Sequence, residues 1–80
     1  MYNMERETII IADIDLNILR FIKKEKIIHD ILIEFDIDYP SIKRHLDRLR
    51  RINLIETRKF GTFRYIKSNQ KGKSLLKILR

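Results

Sequence analysis

Eighty residues carry 18 Lys and Arg against 11 Asp and Glu, a formal net charge of +7, in a length that holds one small domain. With no Cys, disulfides, thiolate metal sites and a Cys nucleophile are excluded together, and apolar runs such as Ile9-Ile10-Ile11 are far too short to cross a bilayer. So basic a balance points to a polyanion, an acidic protein or a membrane surface as partner.

The opening residues Met1-Tyr2-Asn3-Met4-Glu5-Arg6-Glu7 lack the basic-then-apolar order of a secretory leader, so the expected location is the cytoplasm, away from membranes. Residues 1–12 are expected to form an arm that ends in the apolar stretch Ile9-Ile10-Ile11-Ala12. Asp13 or Asp15 can cap a first helix, because a short carboxylate accepts from the free N–H groups of a first turn. That helix carries Leu16, Leu19 and Ile22, with Ile18 beside them, and runs to about Lys24. Ile27, Ile28, Ile31, Leu32 and Phe35 then give a second helix with a wide apolar stripe. Asp36-Ile37-Asp38-Tyr39 breaks the pattern, and Pro40 suits the first turn of a third helix, where its missing N–H costs nothing.

The third helix spans about 40–52, with Ile42, Leu46 and Leu49 on one face and Ile52 at its end. Asn53 tolerates a left-handed stop. Residues 54–58 and 63–67 are rich in β-branched and aromatic side chains, and Lys59-Phe60-Gly61-Thr62 reads as the loop of a hairpin. Ser68 or Asn69 can cap a last helix bearing Leu75, Leu76 and Leu79. The expected fold is mainly α with a small hairpin, ordered helix, helix, helix, strand, strand, helix.

Three stretches carry a family likeness. Residues 31–46, 46–56 and the combination of Tyr65-Ile66-Lys67-Ser68 with Lys71-Gly72 and Leu75-Leu76 resemble winged helix-turn-helix transcription regulators. That broad group includes MarR-, ArsR- and PadR-like families; an archaeal or bacterial type is expected, and the minimal length fits a gene carried by a virus, such as an archaeal virus, or by a plasmid. The likeness covers about two thirds of the chain. Asp36 and Asn53 stand where the group has Gly, and both tolerate positive φ. Lys67 stands where an apolar residue is usual, and the interval from Ser68 to Gly72 is one residue longer. The resemblance implies sequence-specific binding of double-stranded DNA, with the third helix in the major groove and a wing at about 54–67 on the backbone or in the minor groove.

The residues support that reading independently. At 100° per residue, the face of the third helix opposite Ile42, Leu46 and Leu49 holds Pro40, Arg44, Asp47, Arg48 and Arg51, flanked by Ser41 and Lys43. Arg can bond bidentately to guanine O6 and N7 in the major groove. Tyr39, Ser41 and Arg44 are the candidates for base edges, whereas Lys43, Arg50 and Arg51 suit phosphates. Arg58, Lys59 and Arg64 of the hairpin can enter a minor groove or lie along the backbone.

Each feature also has a plainer reading. A basic helix face is often a solvated surface, Tyr39 can pack over the turn, and Phe60 can cap the hairpin rather than enter a groove. His45 reads as a residue at the core boundary, with no partner legible in the sequence. His29 with Glu25 is not a metal site, and Asp13/Asp15 and Asp36/Asp38 are explained by caps and turns. With no Ser, His and Asp grouping and no Gly-rich phosphate loop, the sequence offers no catalytic residue, cofactor site or metal site. The rival class is a winged-helix protein-interaction module in a larger assembly, its basic face meeting an acidic partner. Residues 13–68 form the expected DNA-binding domain. The arm and the helix over 69–80 carry more apolar side chains than a three-helix core needs, and both are candidate elements of a homodimer.

Overall fold

A computed structural model describes residues 11–79. Most of the arm, including Ile9 and Ile10, lies outside the described residues, as does Arg80. The elements are α1 (Asp13–Phe21), β1 (Lys26–Ile27), α2 (Ile28–Phe35), α3 (Tyr39–Arg51), β2 (Ile55–Phe60), β3 (Phe63–Ser68) and α4 (Gln70–Leu79). This is the expected order with one strand added. The two residues of β1 pair antiparallel with β3, Lys26 opposite Ile66 and Ile27 opposite Tyr65, and the sheet runs β1-β3-β2. The second helix accordingly begins at Ile28 rather than Ile27, because the backbone of Ile27 is committed to the sheet.

Helix α1 ends at Phe21, short of Lys24, and the cap residue before it is Ala12, not an Asp. Asp15, in the third position of the helix, instead accepts from the Ala12 backbone N–H at 3.2 Å. Its buried stripe is Asp15, Ile18, Leu19 and Ile22, with Leu16 only half-buried. A carboxylate thus occupies a core-facing position of a stripe that otherwise holds aliphatics.

The core also takes Ile31 of α2, Ile42, Leu46 and Leu49 of α3, Leu54, Ile55, Ile66 and Leu76, all buried. Phe35, expected in the core, is half-buried and packs edge-on against Phe21, with ring centroids 5.7 Å apart and planes at 89°.

Ser68 caps no helix start. Its hydroxyl donates to the Leu19 carbonyl at 2.7 Å and its N–H to the Ile22 carbonyl at 2.9 Å, occupying acceptors that the end of α1 leaves free. Asn69 is the cap of α4: its Oδ1 accepts from the Gly72 N–H at 2.8 Å. The same side chain donates from Nδ2 to the Asn53 carbonyl at 2.9 Å, joining the two ends of the hairpin. Gly72 is buried against Leu54, and an ideal Cβ built on it would overlap the Leu54 carbonyl oxygen. The glycine is therefore what lets α4 lie this close to Leu54, at the entry to β2.

Candidate nucleic-acid interface

The backbone between α2 and α3 turns within three residues. Asp36 ends α2 at φ 51 and ψ 46, donating its N–H to the Leu32 carbonyl at 3.0 Å. Asn53 ends α3 in the same left-handed region at φ 62. Both positions take the positive φ that the substitution of glycine there was expected to permit. Asp38 precedes α3 with extended backbone, Tyr39 and Pro40 open the helix, and the Ile42 N–H reaches the Asp38 carbonyl at 3.1 Å.

With Ile42, Leu46 and Leu49 buried, the other side of α3 turns outward. Arg44, Asp47, Arg48 and Arg51 line one shallow depression of about 270 Å³. Tyr39 is exposed at the helix start. Ser41 donates its hydroxyl to Asp38 at 2.8 Å and accepts from Arg44 Nη2 at 3.3 Å, so Arg44 leans toward the N-terminal turn. The Ser41 hydroxyl bond holds the Asp38 carboxyl below its ordinary range.

Two of the cations are partly occupied. Lys43 meets Asp47 at 3.0 Å and Arg50 meets it at 3.7 Å, and Lys43 in particular holds the Asp47 carboxyl below its usual range. All three are solvent-accessible, so these pairs are weak and can exchange for phosphate. Arg48 is tethered differently, 3.7 Å from the buried carboxylate of Asp15. The other Asp15 oxygen lies 2.8 Å from His45 Nδ1. The sequence reading of His45 as a residue without a partner is thereby corrected. Asp15 joins α1 to α3 through both His45 and Arg48, and residues thirty positions apart leave no periodic signal of it.

In the hairpin, Gly61 and Thr62 form a two-residue turn, with Gly61 at φ 64, the pattern of a turn that takes glycine at its first central position. Both strands therefore run further toward the tip than the four-residue loop expected from Lys59 to Thr62. Lys59 pairs with Arg64 and Phe60 with Phe63 across the strands. Arg58 sits one step further back, and its guanidinium is engaged: Nε and Nη2 donate to Glu25 at 2.8 and 3.0 Å, and the group lies 4.7 Å from the Tyr65 ring centre. Arg58 thus braces the base of the wing. Sequence reasoning passed over Glu25 as its partner and over Phe63 and Tyr65. Alternation along the strands does place both aromatics on the face of Phe60.

A second basic groove, of about 600 Å³, lies between α1 and α4, lined by Arg20, Lys23, Lys73 and Lys77 over Leu76. Among the described residues no group of three or more His, Asp and Glu is placed to hold a metal ion, and no helix is long and apolar enough to cross a membrane.

Among solved structures, the chain is similar to the transcriptional regulator HlyU from Vibrio vulnificus CMCP6, with a TM-score of 0.76 and 24% identity over 85% of this chain and 73% of HlyU. The fold is the winged helix. In its terms α2 and α3 are the two helices of the helix-turn-helix and β2-β3 is the wing. No protein-family model and no curated protein matches the chain.

Proposed function

We propose that this winged-helix chain is a non-enzymatic transcription regulator that binds double-stranded DNA sequence-specifically, of the type found in archaea and their viruses. The observation that carries it is the outward face of α3, where Arg44, Arg48 and Arg51 converge on one depression on the helix that this fold offers to a major groove. Tyr39, Ser41 and Arg44 reach base edges. Lys43, Arg48 and Arg51 meet flanking phosphates, and Lys59 and Arg64 bring the wing to the backbone or minor groove. Arg58 serves the wing by bracing it against Glu25. The bound species is a homodimer built through the arm and α4, with no cofactor, acting in the cytoplasm. The likeness to HlyU, a transcriptional regulator by name, supports this reading at the level of fold.

The test is a gel shift against the DNA upstream of its own gene, repeated over a salt series. Binding that neutralises several phosphates loses affinity with log salt at roughly 0.9 per phosphate. A steep slope and a preference for one sequence are the expected results. A flat dependence, with tight capture of an acidic protein instead, would refute the DNA reading.

A further inference from the structure

The tip of the wing has two chemically different sides. Lys59 and Arg64 stand directly opposite each other across the strands, on the side that further back carries the buried Ile55, Ile66 and Ser68. Two like charges so placed repel, and neither has a carboxylate partner among the described residues. The fold thus keeps an unfavourable pair at a point where a polyanion would relieve it. The other side carries the cross-strand pair Phe60 and Phe63, which are 68% and 52% exposed. Beyond them Gly61 has open space on its outer side.

These two rings do not cover the core. Phe60 is five residues beyond the last buried position of its strand, Ile55, a reach of roughly 17 Å. Phe63, the cross-strand partner of Phe60, is nonetheless backed by other side chains. Phe63 packs on Tyr65 at 6.4 Å between centroids, Tyr65 carries the Arg58 guanidinium at 4.7 Å, and Arg58 is held by both oxygens of Glu25. A run of contacts thus links Phe63 near the tip, through Tyr65 and Arg58, to Glu25.

We propose that Phe60 and Phe63 form an apolar wedge that enters the minor groove of bound duplex DNA, unstacks one base step and bends the helix, while Lys59 and Arg64 hold the phosphates on either side. Apolar side chains between base steps are how minor-groove proteins kink a duplex. The charge complementarity of the adjoining cationic pair selects DNA as the occupant. The inference rests on the DNA-binding reading above and adds a deformation that α3 alone does not produce.

The experiment uses the full chain and duplexes of about 30 bp, fluorescently labelled at both ends, with a central TA step in mixed sequence. Anisotropy reads binding, and energy transfer between the ends reads bending. The wild-type protein should bring the ends closer, by a bend of roughly 20–90°. F60A/F63A should bind more weakly and leave the duplex straight, and F60L should keep part of the bend. Both substituted rings are exposed, and circular dichroism checks that the variants fold. Binding without any bend, or an equal bend by F60A/F63A, overturns the wedge and leaves the DNA-binding reading intact. Failure to bind any duplex overturns both. A wild-type dimer that F60A/F63A splits, with the bend unchanged, assigns the two rings to a second copy of the chain and likewise overturns the wedge.

Discussion

Asp15 has no solvent-exposed surface, and a carboxylate survives there only because both oxygens are occupied. One faces His45 at 2.8 Å, and the other takes the Ala12 N–H at 3.2 Å and faces Arg48 at 3.7 Å. Asp15→Ala would strand the Ala12 N–H and the His45 ring nitrogen and loosen α3 from α1. A loss of about 1–3 kcal/mol is expected, read as a lower urea midpoint; an unchanged midpoint would mean that the cluster contributes nothing net. Under the DNA-binding proposal, Arg44 on α3 and Lys59 on the wing differ in role. Arg44→Ala should cost on the order of 1–3 kcal/mol in binding and relax the preference for one sequence, whereas Lys59→Ala should weaken all sequences alike. Competition gel shifts with matched and scrambled duplexes separate the two, and equal effects of both variants on both duplexes would remove Arg44 from base recognition. The basic face of α3 was legible because a 3.6-residue period sorts Arg44, Arg48 and Arg51 away from Ile42, Leu46 and Leu49. The Asp15–His45 contact was not. Its charge breaks the apolar pattern of α1, and the partner that makes burial possible is supplied by another helix.

At the level of elements, close approach decides the packing of α4. Gly72 is buried, and a methyl group there would collide with backbone of Leu54, not with a yielding side chain. Gly72→Ala gains helix propensity but must push α4 away from Leu54, so the overpacking cost of about 1–3 kcal/mol wins. Thermal unfolding should show a clear loss, and a stabilised variant would show that the approach is looser than described. The wing is tied at its base by Glu25 and Arg58, whose hydrogen bonds hold the Glu25 carboxyl below its ordinary value of 4.5. A carboxyl lowered in the folded state contributes fully above its unfolded value, and that contribution fades as pH falls through the lowered one. Glu25→Gln should therefore melt slightly lower than wild type at neutral pH, and the two curves should converge in acid; a gap that widens in acid would contradict the pairing. The pair is exposed, so the effect is small. The four helices and the hairpin were readable from period, turn residues and Pro40. Strand β1 was not, because two residues have no period and their sheet identity comes from Ile66 and Tyr65 on a distant strand. The boundary of α1 shifted for a similar reason: its last carbonyls are taken by Ser68, a residue that reads locally as the cap of the helix that follows it.

At the scale of the whole molecule, the described residues keep apolar surface exposed on α4. Helix α4 buries Gly72 and Leu76 against α1 and the sheet, which leaves Ile78 76% and Leu79 48% exposed. Around the corner, Ile11, Ile52, Leu54 and Leu75 line a groove of about 300 Å³ edged by Lys71. A chain this small has little core to spare, and an apolar helix face that turns outward next to an apolar groove is the geometry that a two-fold axis can close, each copy offering the same patch to the other. The proposed function presses the same way. One recognition helix reads too few base pairs to be selective, while two set about 34 Å apart read a palindrome from successive major grooves. The expected result is that the protein sediments at twice its 9.8 kDa chain mass at micromolar concentration. I78E/L79E should sediment as a single chain while keeping the wild-type helical spectrum, since both side chains lie at the surface. The same variant should lose far more affinity for a palindromic duplex than for one half-site, because only the palindrome rewards two linked helices. A wild-type protein that sediments at 9.8 kDa and binds one copy per site would refute the dimer and return the exposed face of α4 to the chain's own arm.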